Sequence, residues 1–245
     1  MKVLGIIPAR FASSRFPGKP LIDLAGKSMI QRVYEQASLS ALLNDVVVAT
    51  DDERIVSHIE SFGGKVVMTG DHHRSGTERC GEVIESYSDY DVVINIQGDE
   101  PLVQPKQLER VIELFDDPKV QIGTLVKVMN NPADIRNPNR IKVVLDNEKN
   151  GIYFSRSPIP HIAQTAHEKW MDKGPFYKHI GIYAWRMEVL KEIINLPATL
   201  LEKQESLEQL RWLYHGYQIR TAETKIETPN IDTPEDVDAV MALLR

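Results

Sequence analysis

Four short apolar runs, mostly β-branched, divide the first hundred positions: "KVLGII" (2–7), "DVVVAT" (45–50), "KVVMT" (65–69) and "DVVINIQ" (91–97). They are apolar at consecutive rather than alternate positions. A strand with one face in water alternates, so these runs predict strands covered on both faces. The segments between them carry the helical period. "SMIQRVYEQASLS" sets Met29, Ile30, Val33, Tyr34 and Ala37 on one stripe. "DDERIVSHIESFGG" has acidic residues in its first turn, Ile55, Ile59 and Phe62 on one face, and a glycine stop. Strands alternating with helices predict an α/β fold, a mostly parallel, Rossmann-like sheet flanked by helices on both faces.

After residue 120 the rhythm changes. "IGTLVKVM" and "RIKVVLDNEKNGIYFSRSPIP" read as extended strands, the second turning at "NEKNG", whose Asn-Gly suits a hairpin. "YKHIGIYAW" reads as a strand, "MEVLKEIINL" as a helix and "KQESLEQLRWLYHG" as one helix ending on Gly216. A last strand, "YQIRTAET", leads to "DTPEDVDAVMALLR", in which Thr233 caps a helix and Pro234 sits in its first turn. With no long linker or repeat, 1–245 reads as a single domain with an inserted mixed-strand region at about 120–185.

A net charge of −6 argues against a nonspecific nucleic-acid binder, so any anion site is local. The single cysteine, Cys80, allows no internal disulfide and suits a reducing compartment. No apolar run approaches the roughly 20 residues of a membrane span, and the protein is expected to be cytoplasmic, without membrane association.

Against that acidic balance, "GIIPARFASSRFPGKPL" (5–21) places three cations, Arg10, Arg15 and Lys19, in one loop after the first strand. Such a loop lies at the carboxyl edge of a parallel sheet, where open α/β folds bind ligands. Two Arg forks and a Lys point charge suit a polyphosphate, although a solvated loop also carries cations. Neither GxxxxGK[ST] nor G-x-G-x-x-G occurs, which excludes a Walker A loop and counts against a dinucleotide-binding oxidoreductase. In "INIQGDEP" (94–101), Asp99 follows a glycine that permits close approach at a strand's carboxyl end, a position suited to a divalent metal or to a polar turn. Asp232 in "NIDTPEDV" is either a second carboxylate for that metal or a capping group. In "HRSGTER" (73–79), Ser75 opens a helix, as a cap or as the start of a ligand-facing N-terminus. His72 and His73 are adjacent, poor spacing for a zinc pair, and no His/Cys cluster is expected. Cys80, Trp185 and Trp212 read as packing residues.

Taken in order, "IPARFASSRFPGKPL", "VATDDERI", "HRSGTER", "INIQGDEP", "YFSRSPIP", "YKHIGIYAW", "ESLEQLR" and "DTPED" resemble one family, the 3-deoxy-manno-octulosonate cytidylyltransferases, or CMP-Kdo synthetases. The resemblance runs from Met1 to the final helix. It implies a fold of the nucleotide-diphospho-sugar transferase type and an enzyme that transfers CMP from CTP to the anomeric hydroxyl of 3-deoxy-D-manno-octulosonate (Kdo). The products are CMP-Kdo, for lipopolysaccharide synthesis, and pyrophosphate. It implies that Arg10, Ser13 and Lys19, with Arg15 beside them, hold the triphosphate, and that the segment around Ser75 surrounds the cytosine. Asp99 and Asp232 match the carboxylates that hold Mg²⁺, and Lys19, Arg10, Asp99 and Asp232 form the catalytic set. Gln97, Arg156, His179, Tyr183, Glu208 and Gln209 match positions lining the acid-sugar pocket, where Arg156 suits the substrate carboxylate. No side chain stands out as a general base, so a hydroxyl pKa lowered by the metal is the expected activation. A homodimer through the inserted strands is implied as well. Some relatives carry Arg-Ala-Asp where this chain has Gly70-Asp71-His72. The alternatives are a cytidylyltransferase for a related acid sugar such as 8-amino-Kdo, or a catalytically silent nucleotide-binding module.

Overall fold

The computed structural model describes residues 1–12 and 16–244. The first apolar run forms β1 (Val3–Ala9), which a two-residue hairpin follows, β2 (Asp23–Leu24) and β3 (Lys27–Ser28). The other three runs form β4 (Asp45–Thr50), β5 (Val66–Met68) and β6 (Val92–Asn95). Helices α1 (Met29–Ser38), α2 (Glu53–Ser61) and α3 (Gly76–Ser86) connect them, and α4 (Pro105–Ile112) leads out. The sheet continues with β7 (Ile122–Val128), β8 (Lys142–Leu145), β9 (Gly151–Ser155), β10 (Tyr177–Arg186) and β11 (Ile219–Glu223), with the short α5 (Pro132–Arg136) between β7 and β8.

The main sheet runs β11-β7-β10-β6-β1-β4-β5, with β8 pairing β10 and β9. β6, β1, β4 and β5 pair in parallel, as do β7 and β11, whereas β10 runs antiparallel to both of its neighbours β6 and β7. The mixed-strand insertion is therefore present, and one reversed strand joins two parallel groups. Consecutive residues of the apolar runs serve opposite faces. Val3 and Ile7 of β1 pack with Ile30 and Val33 of α1, Ile55 and Ile59 of α2 and Leu108 of α4. Leu4 and Ile6 pack on the other side with Val83 and Ile84 of α3, Leu190 of α6 (Met187–Ile193) and the indole of Trp212. β5 departs from expectation: it is the edge strand, and Met68 is exposed.

Three local expectations need correction. The segment read as one helix over "KQESLEQLRWLYHG" is two, α7 (Leu200–Glu205) and α8 (Gln209–Tyr214), because Ser206 adopts φ 51° in the left-handed region and stops the first. The β8–β9 hairpin forms as expected, but its left-handed residue is Lys149 (φ 67°), with the Asp146 carboxylate accepting from the Glu148 and Asn150 amides; Asn150 closes the turn and Gly151 begins β9. The last helix, α9 (Asp236–Leu243), starts later than predicted. Its turn is closed by Asp236, whose carboxylate accepts from the amides of Asp232 (2.9 Å) and Thr233 (2.8 Å), so Thr233 is not the cap.

Candidate active site

The carboxyl ends of β1 and β6 lie side by side, and the chain leaves them for the basic loop and for Gln97-Gly98-Asp99. Their approach depends on Gly98, since a Cβ there would sit 2.7 Å from the Pro8 carbonyl oxygen. The space between holds about 340 Å³, lined by Arg10, Ala12, Lys19, Gln97, Gly98 and Asp99 among others. Lys19 opens a 3₁₀ turn, and its Nζ donates to Asp99 Oδ2 (2.9 Å) and to the Ile231 carbonyl (2.7 Å), with Asp232 Oδ1 at 3.9 Å. The Ile231 amide donates to the Asp99 carbonyl (2.9 Å), which fastens the chain before α9 to the end of β6. Residues 133 positions apart in sequence thus share one cation. Asp236 closes the turn, and the Asp232 carboxylate faces Lys19 and accepts from Asn230 (3.0 Å). Of its two readings, the paired carboxylate therefore fits the geometry.

Arg10 stands just past β1, and its Nη2 is buried without a partner among the described residues. A buried guanidinium N–H left unsatisfied costs on the order of 1–3 kcal/mol, which an anion in the adjoining cavity would recover. Asp99 and Asp232 supply hard oxygens converging on one cation, a donor set that fits Mg²⁺ when phosphate and water oxygens complete it. Ser13 and Arg15 lie outside the described residues.

Gln97 links this end of the site to the next, its Nε2 donating to the Gly181 carbonyl (3.1 Å). There β10 breaks register with β7: Ile180 pairs Leu125 and Tyr183 pairs Thr124, leaving Gly181 and Ile182 unpaired. The irregularity brings the rings of His179 and Tyr183 to 5.2 Å. Thr124 Oγ1 lies 2.8 Å from the Ile182 carbonyl and 3.0 Å from His179 Nε2; its one proton goes to the carbonyl, so His179 donates from Nε2. Burial, with Lys178 adding to it, pushes the His179 pKa down to about 3, so the ring is neutral. Burial also holds the Tyr183 phenol protonated, its pKa well above the ordinary value.

The helix break at Ser206 bears on the same region, where Glu208 stands close enough to Tyr183 to act on its phenol. It sets Glu208 at the head of α8, where Oε1 accepts from Ser75 Oγ (2.9 Å) and Oε2 from Thr77 Oγ1 (2.6 Å). Desolvation raises the Glu208 pKa against those hydrogen bonds. Ser75 caps α3, accepting from the Glu78 amide (3.2 Å), while its hydroxyl is given to Glu208. Arg156, past the end of β9, donates to the carbonyls of Glu205 (2.6 Å), Pro138 (3.1 Å) and Ser206 (3.3 Å). These bonds anchor it to the same helix break, with guanidinium N–H groups to spare.

Tyr183 OH and Gln209 Nε2 are buried without partners among the described residues, and so is Asn95 Oδ1. Asn95 pairs with Tyr183 across β6 and β10. Sequence reasoning missed it, although a lone amide within "DVVINIQ" is the signal: a polar side chain in a doubly covered strand needs a partner, from the protein or from a ligand. Thr77 and Thr124 were missed too, since only the tertiary contacts reveal them. Cys80 is buried and its thiol pKa is driven up by desolvation, which suits packing. Trp185 and Trp212 are buried around Tyr183. His72 and His73, whose adjacency is poor spacing for a zinc pair on one helix face, lie together with Glu82 of α3. The chain there is a loop, and their ligand atoms and one from Glu82 lie within 4.8 Å of one another.

Fold and site together place this protein among the nucleotidyltransferases. It belongs to the cytidylyltransferase family, whose model matches residues 4–224. A 3-deoxy-manno-octulosonate cytidylyltransferase of Parabacteroides distasonis is 53% identical over 249 residues, covering 100% of this chain and 98% of that one. An 8-amino-3,8-dideoxy-manno-octulosonate cytidylyltransferase of Shewanella pealeana is 46% identical over 241 residues, covering 97% and 96%. The solved structure of a CMP:2-keto-3-deoxy-manno-octonic acid synthetase complexed with CTP superposes with a TM-score of 0.93 at 43% identity, covering 100% and 98%.

Proposed function

We propose that this chain transfers CMP from CTP to the anomeric hydroxyl of Kdo, releasing pyrophosphate and supplying CMP-Kdo for lipopolysaccharide synthesis. The observation that carries the reading is Lys19 held between Asp99 and Asp232 beside Arg10, whose buried Nη2 has no partner among the described residues, an arrangement suited to a triphosphate and its cation. Relatives of half-identical sequence bear that activity in their names.

In this reading Arg10 and Lys19 neutralise the phosphates, with Ser13 and Arg15 as further contacts from the same loop. Asp99 and Asp232 would hold Mg²⁺, which when bound lowers the pKa of a coordinated hydroxyl and neutralises phosphate charge. The attacking oxygen forms its bond to the α-phosphorus as the bond to pyrophosphate breaks. Lys19 then meets charge growing on the phosphates, a role in which fixed positive groups are worth most in a dry site. Ser75 flanks the base. Arg156 takes the sugar carboxylate, and Gln97, Tyr183 and Gln209 take hydroxyls. Neutral His179 offers its Nδ1 lone pair, because Nε2–H is given to Thr124. Glu208, braced by Ser75 and Thr77, completes the pocket. The enzyme would act in the cytoplasm as a homodimer. Among the described residues no helix is long and apolar enough to cross a membrane, and the inserted strands expose Ile152 and Val128.

Turnover of CTP and Mg²⁺ with a panel of sugar acids, followed by pyrophosphate release, tests the assignment. Kdo should be the preferred acceptor. Preference for the 8-amino sugar would move the chain to the Shewanella relative's specificity, and no turnover with any acceptor would leave a binding module. Asp99→Ala and Lys19→Ala should each lose turnover by orders of magnitude.

A further inference from the structure

The loop between β5 and α3 brings His72 and His73 beside Glu82 of α3, three side chains given no contact of their own in the proposed transfer site. We infer that His72, His73 and Glu82 form a binding site for one Zn²⁺-class ion, apart from the carboxylates at Asp99 and Asp232. One donor atom from each lies within 4.8 Å of the others. Tetrahedral zinc with ligands at about 2.1 Å holds its donors roughly 3.4 Å apart, so small side-chain rotations close the shell. Two imidazoles and one carboxylate leave a fourth position open, the pattern of borderline-soft ions rather than of Mg²⁺ or Ca²⁺.

The surroundings support the three ligands. His73 is buried and contacts Glu82 Oε2 through Nε2, and the Gly70 amide lies 3.0 and 3.2 Å from the two Glu82 oxygens. Both groups are therefore oriented before any ion arrives. His72 is exposed and closes the site from the solvent side, its ring 4.3 Å from that of His73. Glu78 and Glu85 line the same groove and add negative charge.

A His73–Glu82 ion pair alone would explain two of these residues, but not the seat of His72. That seat exists because residue 70 is glycine: a Cβ there would lie 2.4 Å from His72 Nδ1 and 3.6 Å from Glu82 Oε2. An ion here ties the end of β5 to α3, and stiffens the loop that carries Ser75 toward Glu208.

Co²⁺ serves as the spectroscopic probe, titrated into the full chain with Mg²⁺ in excess to occupy the carboxylate pair. The wild type should bind one Co²⁺ per chain with visible ligand-field bands that Zn²⁺ abolishes. His72→Ala should weaken binding roughly tenfold or more, and Gly70→Ala should do the same with all three ligands retained. Exposed His72→Gln is the second variant should alanine disturb the fold. Absence of the bands in the wild type, or wild-type Co²⁺ affinity in a folded His72 variant or in Gly70→Ala, would overturn the assignment.

Discussion

Replacing Gly98 by alanine would plant a methyl group 2.7 Å from the Pro8 carbonyl oxygen, roughly 0.7 Å inside the 3.4 Å at which ordinary contact begins. Both partners are backbone at the ends of paired central strands, so no flexible side chain can absorb the overlap. The end of β6 must move, and Asp99, the next residue, moves with it away from Lys19. Misplacement of a reacting group by about 1 Å can cost on the order of 100-fold in rate. A shift of two-thirds of that suggests a loss of about 10- to 50-fold in kcat, or ~1.4–2.3 kcal/mol. Overpacking should also cost stability, ~1–3 kcal/mol. Pyrophosphate release at saturating CTP and Kdo gives the first number and urea unfolding the second. Gly174→Ala is the control, because nothing lies within 4 Å of its added carbon. If Gly98→Ala unfolds more readily yet keeps wild-type kcat per folded molecule, the proposed link between strand approach and catalysis is wrong.

Tyr183→Phe removes a buried hydroxyl that has no partner among the described residues. The free enzyme should be as stable as the wild type or about 1 kcal/mol more so, while KM for Kdo rises about tenfold, measured by unfolding and by initial rates. His179 has its pKa lowered from 6.5 to about 3, so the unfolded chain binds the extra proton first. Its contribution is complete above pH 6.5 and drains away as pH falls toward 3. Thermal melts across that window should therefore decline less steeply for His179→Asn than for the wild type. Ser206→Gly relieves a left-handed serine at φ 51° and should raise stability by about 1 kcal/mol, read as a Tm increase of roughly 2–4 °C.

The parallel half of the fold could be read from the sequence because burial on two faces leaves continuous apolar runs, and a helix on each face leaves its stripe. β5 carried the same composition but lies at the edge, since strand order is a tertiary fact absent from local pattern. The break at Ser206 was hidden because serine carries no glycine-like warning of a positive φ; the requirement that Glu208 meet Ser75 and Thr77 appears only once α3 is in place. The two carboxylates were visible as residues, and Asp232 stayed ambiguous until Asp236 was seen to close its turn. Arg156, His179 and Gln209 carried no local signal and were reached through resemblance. His72 and His73 were read by the spacing of a helix face, whereas the segment that holds them is a loop.

The reversed strand β10 has a consequence for how this enzyme diversifies. Lys19, Asp99 and Asp232 depend on the parallel strands and the chain before α9, whereas His179 and Tyr183 hang on β10 and its two unpaired residues. Changing how many residues slip past β7 at that point would re-aim both rings, with Gln97, which donates to the Gly181 carbonyl (3.1 Å), as the link back toward Asp99. In the proposed reading, an insertion or deletion at Gly181–Ile182 therefore bears first on the sugar acceptor, since Lys19, Asp99 and Asp232 stand on other elements.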